Sequence, residues 1–310
     1  MSGITEGYLV RHCQGLQAAR DAALLDIAQD HALFHLYNAG LFDHGLCFKG
    51  GTALRKYRAG TSGRFSTDLD FSAVDENLVL SVLETLQGAE VNEFIFSVSD
   101  LGDNGRRASL SVTTPFGTPG IASKLELSNH SPILEPECLP AIPFSIHKVY
   151  GFEPPSLPII RLEEAIAEKL ARFRRVALVR DLYDLAWFAQ KPFDEVLVRR
   201  LWVLKTYQDV VLEKRGNAPI DAEQILRERS ENEFSREDIG YLVGKVEISA
   251  WIATVRDRYS FLKEMDNLEE QWIRCNPRDS YSVSSSLDRI SKTSNFEYDM
   301  GNPIIAGYLV

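Results

Sequence analysis

The stretch Phe48–Ser72, FKGGTALRKYRAGTSGRFSTDLDFS, restricts the folds open to this chain more than any other. It closes on RFSTDLDFS, in which side-chain character alternates residue by residue. Successive side chains of a β-strand point to opposite faces. The spacing therefore predicts a strand with Phe65, Thr67, Leu69 and Phe71 on a core face and Ser66, Asp68 and Asp70 on the other. Two carboxylates and a hydroxyl are then displayed side by side against an apolar wall. Upstream, a short strand, GLCFKG, runs into Gly50-Gly51, and Thr52 is placed to cap a short helix, TALRKYRAG.

This order of elements has a chemical reading. Like charges as close as Asp68 and Asp70 repel, and a divalent cation relieves the repulsion. Mg²⁺ favours one or two carboxylates completed by phosphate oxygens and water. A Gly-Gly turn lets backbone N–H groups approach an anion closely, and Thr52 adds a hydroxyl. A lone D-x-D is most often a pair of solvated acids, and a lone Gly-Gly is most often just a turn. The succession of strand, Gly-Gly-hydroxyl, helix and D-x-D strand is what points to a metal-bound nucleoside triphosphate. Neither G-x-x-x-x-G-K-[ST] nor G-x-G-x-x-G occurs here, so P-loop and Rossmann sites are not indicated.

Around this stretch the chain changes texture. The region up to Gly40 reads as helix, and DENLVLSVLETLQG as an amphipathic helix between Asp75 and Gly88. FIFSVS, RRASLSVTT and ASKLELS read as strands, with a hairpin turn at Gly102-Asp103-Asn104-Gly105. Seven prolines between residues 131 and 158 mark a connector with short extended pieces. Beyond it, RLEEAIAEKLARFRRV, LVRDLYDLAWFAQ and FDEVLVRRLWVLKTYQDVVLEKRG all show helical periodicity. The last 35 residues, rich in Ser, Asn and Asp, predict irregular structure. We therefore expect two domains, an α/β domain over 1–155 with N-terminal helices and an all-helical domain over 156–310 with an irregular tail.

Net charge is −10 over 310 residues, but it is unevenly spread: −7 over 1–160, +3 over 161–215 and −6 over 216–310. Within the basic segment, KLARFRRVALVR (169–180) holds five cations and no anion, and Arg199, Arg200 and Lys205 follow. Such a stretch is suited to a phosphate backbone even in an acidic protein. Four scattered cysteines without C-x-x-C, no run long enough to span a membrane and no secretory leader point to a reduced, cytoplasmic protein without a membrane partner.

KGGTALRKY…RFSTDLDF resembles the first motif of the AbiEii/AbiGii toxin family, nucleotidyltransferase-like toxins of abortive-infection and toxin–antitoxin systems. The family more often has Gly-Ser where this chain has Gly51-Thr52, which keeps the hydroxyl. Lys169-x-x-x-Phe173 followed by Asp181-x-x-Asp184 resembles its third motif. The resemblance covers about residues 45–190. It implies an α+β protein: a polymerase-β-type nucleotidyltransferase domain with a mixed sheet and flanking helices, followed by an all-helical domain completing a cleft. It also implies transfer of NMP from an NTP, with Mg²⁺ or Mn²⁺ on Asp68 and Asp70. Gly50, Gly51, Thr52 and Ser66, with Lys56 and Arg64, would cradle phosphates, and Lys169 would contact the triphosphate. Asp184, or Asp181, would complete the site or orient Lys169. Glu126, sharing a face of SKLELS with Lys124 and Ser128, is the candidate third carboxylate and could serve as a base.

Characterised relatives include toxins that add nucleotides to the 3′ end of tRNA, so the resemblance implies a tRNA acceptor, a block on translation and a cognate antitoxin. Three other readings stay open: nucleotidylation of a protein or small molecule, a regulatory module that binds NTP without turnover, and an inert interaction protein. The bland reading of the Lys169 region is a helix pair with Glu168–Arg172 and Arg180–Asp184 surface bridges. His31 and His35 have zinc-compatible spacing, but H-E-x-x-H and a third ligand are missing. Trp187, Phe188, Trp202 and Tyr207 read as core. Arg106 and Arg107 are either solvated or in contact with a substrate backbone.

Overall fold

The structure is a computed structural model, and it describes residues 3–14, 19–235, 239, 242 and 244–300. The chain divides into two compact units. One comprises Met1–Pro132, Pro136–Ile160 and Gly240–Lys245; the other comprises Ile133–Glu135, Arg161–Ile239 and Val246–Val310.

The first unit begins with α1 (Glu6–His12) and α2 (Arg20–Asn38), and Gly40 ends α2 in the left-handed conformation at φ +74°. Strand β1 (Cys47–Lys49) runs into α3 (Gly50–Leu54), and β2 (Asp68–Ser72) into α4 (Glu76–Leu86). The Asp75 carboxylate, near the predicted helix start, caps α4 by accepting from the Asn77 N–H at 2.8 Å. Next come β3 (Glu90–Val91), β4 (Phe94–Gly102), β5 (Arg107–Thr114) and β6 (Gly117–Ser128), with the expected turn at 103–105. The proline-rich connector contributes two short strands, β7 (Glu137–Leu139) and β8 (Leu157–Ile159).

All eight strands form one mixed sheet in the order β3-β4-β5-β6-β2-β1-β8-β7. β2 lies parallel to β6 and antiparallel to β1, and β1 lies parallel to β8. Alternation then sorts the faces. Leu69, Phe71, Leu125 and Leu127 are buried, as is Phe48, whose ring sits 5.0 Å from that of Phe71. Burying each such side chain contributes about 1.5–3 kcal/mol. Helix α2 packs against β6 and α4, and Gln29 reaches the Ser66 carbonyl and the Ser123 hydroxyl. The opposite face is left to Asp68, Asp70, Lys124 and Glu126.

The D-x-D strand is shorter than its alternation suggests. Regular pairing starts at Asp68, and before it the pattern inverts: Ser66 is buried and Thr67 is exposed. Thr52 does not cap α3 either. It lies inside that helix, which Lys49 precedes. The two histidines of α2 are satisfied within the fold. His31 Nδ1 bonds the Ile27 carbonyl at 2.9 Å among the rings of Phe94, Tyr150 and Phe152, and burial lowers its pKa to about 4. His35 Nε2 meets the Thr85 carbonyl at 3.1 Å.

The second unit is helical: α5 (Leu162–Arg175), α6 (Val179–Phe188), α7 (Glu195–Tyr207), α8 (Glu223–Leu226), α9 (Ile248–Arg258), α10 (Asn267–Trp272) and α11 (Ser280–Met300). α5 packs on α7, and α6 on α9. Trp187, Phe188, Trp202 and Tyr207 are core, as read from the sequence. The tail departs from expectation, because α11 is a helix where irregular structure is predicted. Val283, Leu287 and Ile290 are buried at i, i+4 and i+7, so a thin apolar stripe inside a Ser-rich stretch is enough once it has a surface to cover. Residues 301–310 of that tail lie outside the described residues. No helix among the described residues is long and apolar enough to cross a membrane.

Candidate active site

The carboxylates of the site are carried by adjacent strands in matched register. Asp70 pairs with Glu126 of β6 on one side and with Lys49 of β1 on the other, and Asp68 pairs with Lys124. Glu126 in turn pairs with Arg107 of β5. Directly paired residues share a face about 5 Å apart. Arg107, Glu126, Asp70 and Lys49 thus form one row of charges, plus-minus-minus-plus, across four strands. Asp68 and Asp70 are half-buried; Lys124 and Glu126 are exposed. The Thr67 hydroxyl donates to Asp68 Oδ1 at 3.1 Å.

The glycines are required by contact. Gly50 has φ +79°, and a Cβ there would fall 1.9 Å from Asp70 Oδ2. A Cβ at Gly51 would fall 2.7 Å from Arg64 Nη2 and 2.9 Å from the Ser66 hydroxyl. The first glycine thus makes room for a site carboxylate, and the second lets a guanidinium and a hydroxyl close on the backbone. Gly50→Ala should therefore cost about 1–2 kcal/mol in backbone strain. It should also displace the Asp70 carboxylate and lower turnover by about 10²-fold, since small misplacements of a reacting group are this costly. Steady-state kinetics beside a denaturation curve would show both effects, and a Gly50→Ala variant with wild-type turnover would refute the contact.

Two predicted phosphate ligands are placed elsewhere. Thr52 is fully buried, and its hydroxyl donates to the Asp68 carbonyl at 2.5 Å, so it locks the α3 turn to the D-x-D strand. Lys56 is 2% exposed and is held between two carboxylates of α2, Asp26 and Asp30, at 3.1 and 2.7 Å. Its charge is satisfied inside the core and does not reach a phosphate. Arg106 is also structural: it donates to the Ala73, Val74 and Leu127 carbonyls and pairs with Glu76 at 2.7 Å. Sequence reasoning missed Lys49 as a site residue. The alternation of Cys47, Phe48 and Lys49 on the strand entering the glycine turn was the signal available for it.

The donor set fits a hard divalent cation. Asp68 and Asp70 offer oxygen ligands on one face, and the missing Cβ at Gly50 leaves the Asp70 carboxylate its space. Among the described residues, no three His, Cys, Asp or Glu side chains gather to hold a metal by themselves. An ion here would share its coordination with substrate phosphate, as Mg²⁺ ordinarily does.

In the helical unit, Lys169 of α5 meets both acids of α6: Nζ lies 2.8 Å from Asp181 Oδ1 and 2.8 Å from Asp184 Oδ2. Both acids are buried, and Arg172 Nε approaches Asp181 at 3.2 Å. The motif residues therefore come together, with the carboxylates fixing the direction of the ammonium. Phe173 is core, stacked near Phe234. Three cations expected on an RNA-facing surface are instead internal. Arg199 and Arg200 grip the buried Glu269, each at 2.8 Å, and Lys205 sits on Glu164 and Glu168 at 2.7 and 3.1 Å.

The sequence profile described as nucleotidyl transferase AbiEii toxin, type IV TA system, matches residues 31–271. The chain belongs to the AbiEii family. It is a nucleotidyltransferase toxin of a type IV toxin–antitoxin system, and membership implies an antitoxin partner and an NTP substrate. Among solved structures, this AbiEii-family toxin is similar to MenT4, a nucleotidyltransferase toxin from Mycobacterium tuberculosis H37Rv. The two are 48% identical over 93% of this chain and 99% of that one, with a TM-score of 0.90. That agreement supports the nucleotidyltransferase fold with its mixed sheet. JHP933 from Helicobacter pylori also matches, at 17% identity over 91% of this chain and 98% of that one, but its TM-score of 0.40 carries no argument. No curated protein matches.

Proposed function

We propose that this AbiEii-family toxin transfers NMP from an NTP to an acceptor hydroxyl through a site centred on Asp68 and Asp70, and that the acceptor is the 3′ end of tRNA, which stops translation. The observation that carries the site is the contact of Gly50 with Asp70. A glycine held at positive φ, with a carboxylate filling the space its Cβ would take, ties the phosphate-friendly turn to the D-x-D strand. The choice of tRNA rests on the family resemblance.

Asp68 and Asp70 hold a divalent cation, Mg²⁺ or Mn²⁺, which when bound supplies Lewis-acid stabilisation of phosphoryl charge. The Gly50-Gly51 turn, with Arg64 and Ser66 against it, receives the β- and γ-phosphates. Glu126, one strand over from Asp70, accepts the proton of the attacking hydroxyl. The acceptor oxygen bonds to the α-phosphorus, the bond from that phosphorus to the β-phosphate bridging oxygen breaks, and pyrophosphate leaves. Within the helical unit Lys169 is oriented by Asp181 and Asp184, and the family resemblance assigns its charge to the triphosphate. Positioning and fixed charge do most of the work in such a transfer.

The decisive experiment incubates each of four α-labelled NTPs with total RNA, cell protein and small-molecule acceptors. Label on the 3′ end of tRNA, lost on removing divalent cation, is the expected result. Label on protein would reassign the acceptor, and NTP binding without pyrophosphate release would make the chain a nucleotide sensor.

A further inference from the structure

The helical unit holds a second cluster of cations that the proposed chemistry does not use. Arg174, Arg175, Arg227, Arg229 and Gln224 line a cavity of about 420 Å³. Two of these arginines have largely covered side chains: Arg174 is 9% exposed, and the Arg229 side chain 8%. Arg174 is held by backbone carbonyls of Asn217 and Pro219, and no carboxylate among the described residues lies within ion-pair distance of it. The Nε atoms of Arg174 and Arg229 are buried without a hydrogen-bond partner among the described residues, and so is Gln224 Oε1, whereas Arg175 Nε lies 3.5 Å from Asp209 Oδ2. A buried guanidinium left short of acceptors is costly, which marks the cluster as built for something else.

The acids nearby balance part of the cluster and leave Arg174 without a carboxylate partner among the described residues. Glu223, on the wall, pairs with Lys263 at 2.5 Å, and Asp221 Oδ1 accepts from the Glu223 N–H at 2.9 Å. Glu233 is 2.5 Å from Arg227 but 3.6 Å from Arg229, and Asp209 is 3.5 Å from Arg175. Burial lowers the pKa of both Arg174 and Arg229, and the acids nearest them do not offset it.

We infer that this arginine cavity is a binding site for the ribose-phosphate backbone of the RNA acceptor. Planar guanidiniums match phosphate oxygens in bidentate fashion. The guanidiniums of Arg174 and Arg229, each short of an acceptor at Nε, call for an anion, and Gln224, whose Oε1 lacks a partner among the described residues, calls for a hydroxyl such as a ribose 2′-OH. No aromatic side chain lines the cavity, so it offers no platform for stacking a base and reads backbone rather than sequence. Helix α5 links it to the third motif, since Arg174 follows Lys169 by about 7–8 Å along the axis. The inference rests on the reading that the acceptor is RNA.

The test measures binding of end-labelled tRNA, a DNA strand of matching sequence, a free NTP and inorganic phosphate to the full chain, across a salt series. Arg175→Gln with Arg227→Gln is the chosen pair, because both side chains reach solvent. The pair should weaken tRNA binding about tenfold at low salt and lower the slope of log K against log salt by about 1–2. NTP affinity should stay unchanged, and wild type should bind tRNA more tightly than DNA. Unchanged tRNA affinity and slope, or a loss confined to free NTP or phosphate, would overturn the assignment. Should the double variant not fold, arginine modification by phenylglyoxal on wild type decides. tRNA should protect Arg175 and Arg227, and equal modification with and without tRNA refutes the site. If RNA takes label from NTP while the variants bind it normally, only this inference fails. If label lands on protein, the acceptor reading fails first.

Discussion

Asp70→Asn should abolish nucleotidyl transfer, lowering turnover by about 10³-fold or more while moving the thermal midpoint by no more than about 2 °C. The amide keeps the carboxylate's volume, so the space beside Gly50 stays filled. What disappears is the negative charge that would hold a divalent cation beside the migrating phosphoryl group, and losing one preorganised electrostatic partner commonly costs about 10²–10³ in rate. Asp70 also has both strand neighbours charged, Lys49 and Glu126, so the row across the sheet is out of balance when its centre is neutral. Asp68→Asn should fall in the same class. Pyrophosphate release and growth arrest on expression should vanish together in both variants. Activity within about tenfold of wild type in Asp70→Asn would remove the D-x-D strand from the chemistry and leave the nucleotide site without a centre.

Lys56→Met should destabilise the first unit by about 3–5 kcal/mol, the usual cost of leaving a buried charge without its partner. Lys56 Nζ donates to the Asp26 backbone carbonyl at 2.7 Å and also meets Asp26 Oδ1 and Asp30 Oδ1. Asp26 is shared with Arg55 at 3.1 Å and His12 at 2.7 Å; Asp30 accepts from the Tyr150 hydroxyl at 2.7 Å. Burial would raise both carboxyls, but the cations around them win. Asp26 is held well below the carboxylate range, and Asp30 at about 2. The folded pKa of Asp30 is depressed, so its contribution is present above the unfolded value of about 3.9 and is lost as pH falls through about 2. Wild type should therefore lose about 2 kcal/mol from this group between roughly pH 4 and pH 2, and Lys56→Met should show a shallower acid limb. Denaturant unfolding at several pH values reads both effects. If the Lys56→Met variant were as stable as wild type at neutral pH, the cluster would not be what holds the segment after α3 against α2.

Much of the first unit could be read from the residues in order. Alternation in DLDFS and SKLELS assigns Leu69, Phe71, Leu125 and Leu127 to the core and places Asp68, Asp70 and Glu126 on the other face, because the two-residue period of a strand is a local property. The helix start near Asp75 and the helix stop at Gly40 follow from one residue each. The Lys169, Asp181 and Asp184 set was legible as a motif, and the structure adds the two 2.8 Å ion pairs.

Other features needed the folded chain. Nothing local distinguishes a cation that meets solvent from one that meets a buried acid far away in sequence. The sequence places Lys56 at a phosphate and Arg199, Arg200 and Lys205 on an RNA-facing surface, and all four are internal because Asp26, Asp30, Glu269 and Glu164 come from other elements. The Ser-rich stretch of α11 becomes helix because its three-residue stripe has something to pack on. By itself the sequence determined which side chains share a face and which motifs occur, since both depend on backbone period. The tertiary structure alone decided register between strands and the pairing of buried charges. Those depend on contacts between residues tens of positions apart, whose energies no local pattern encodes.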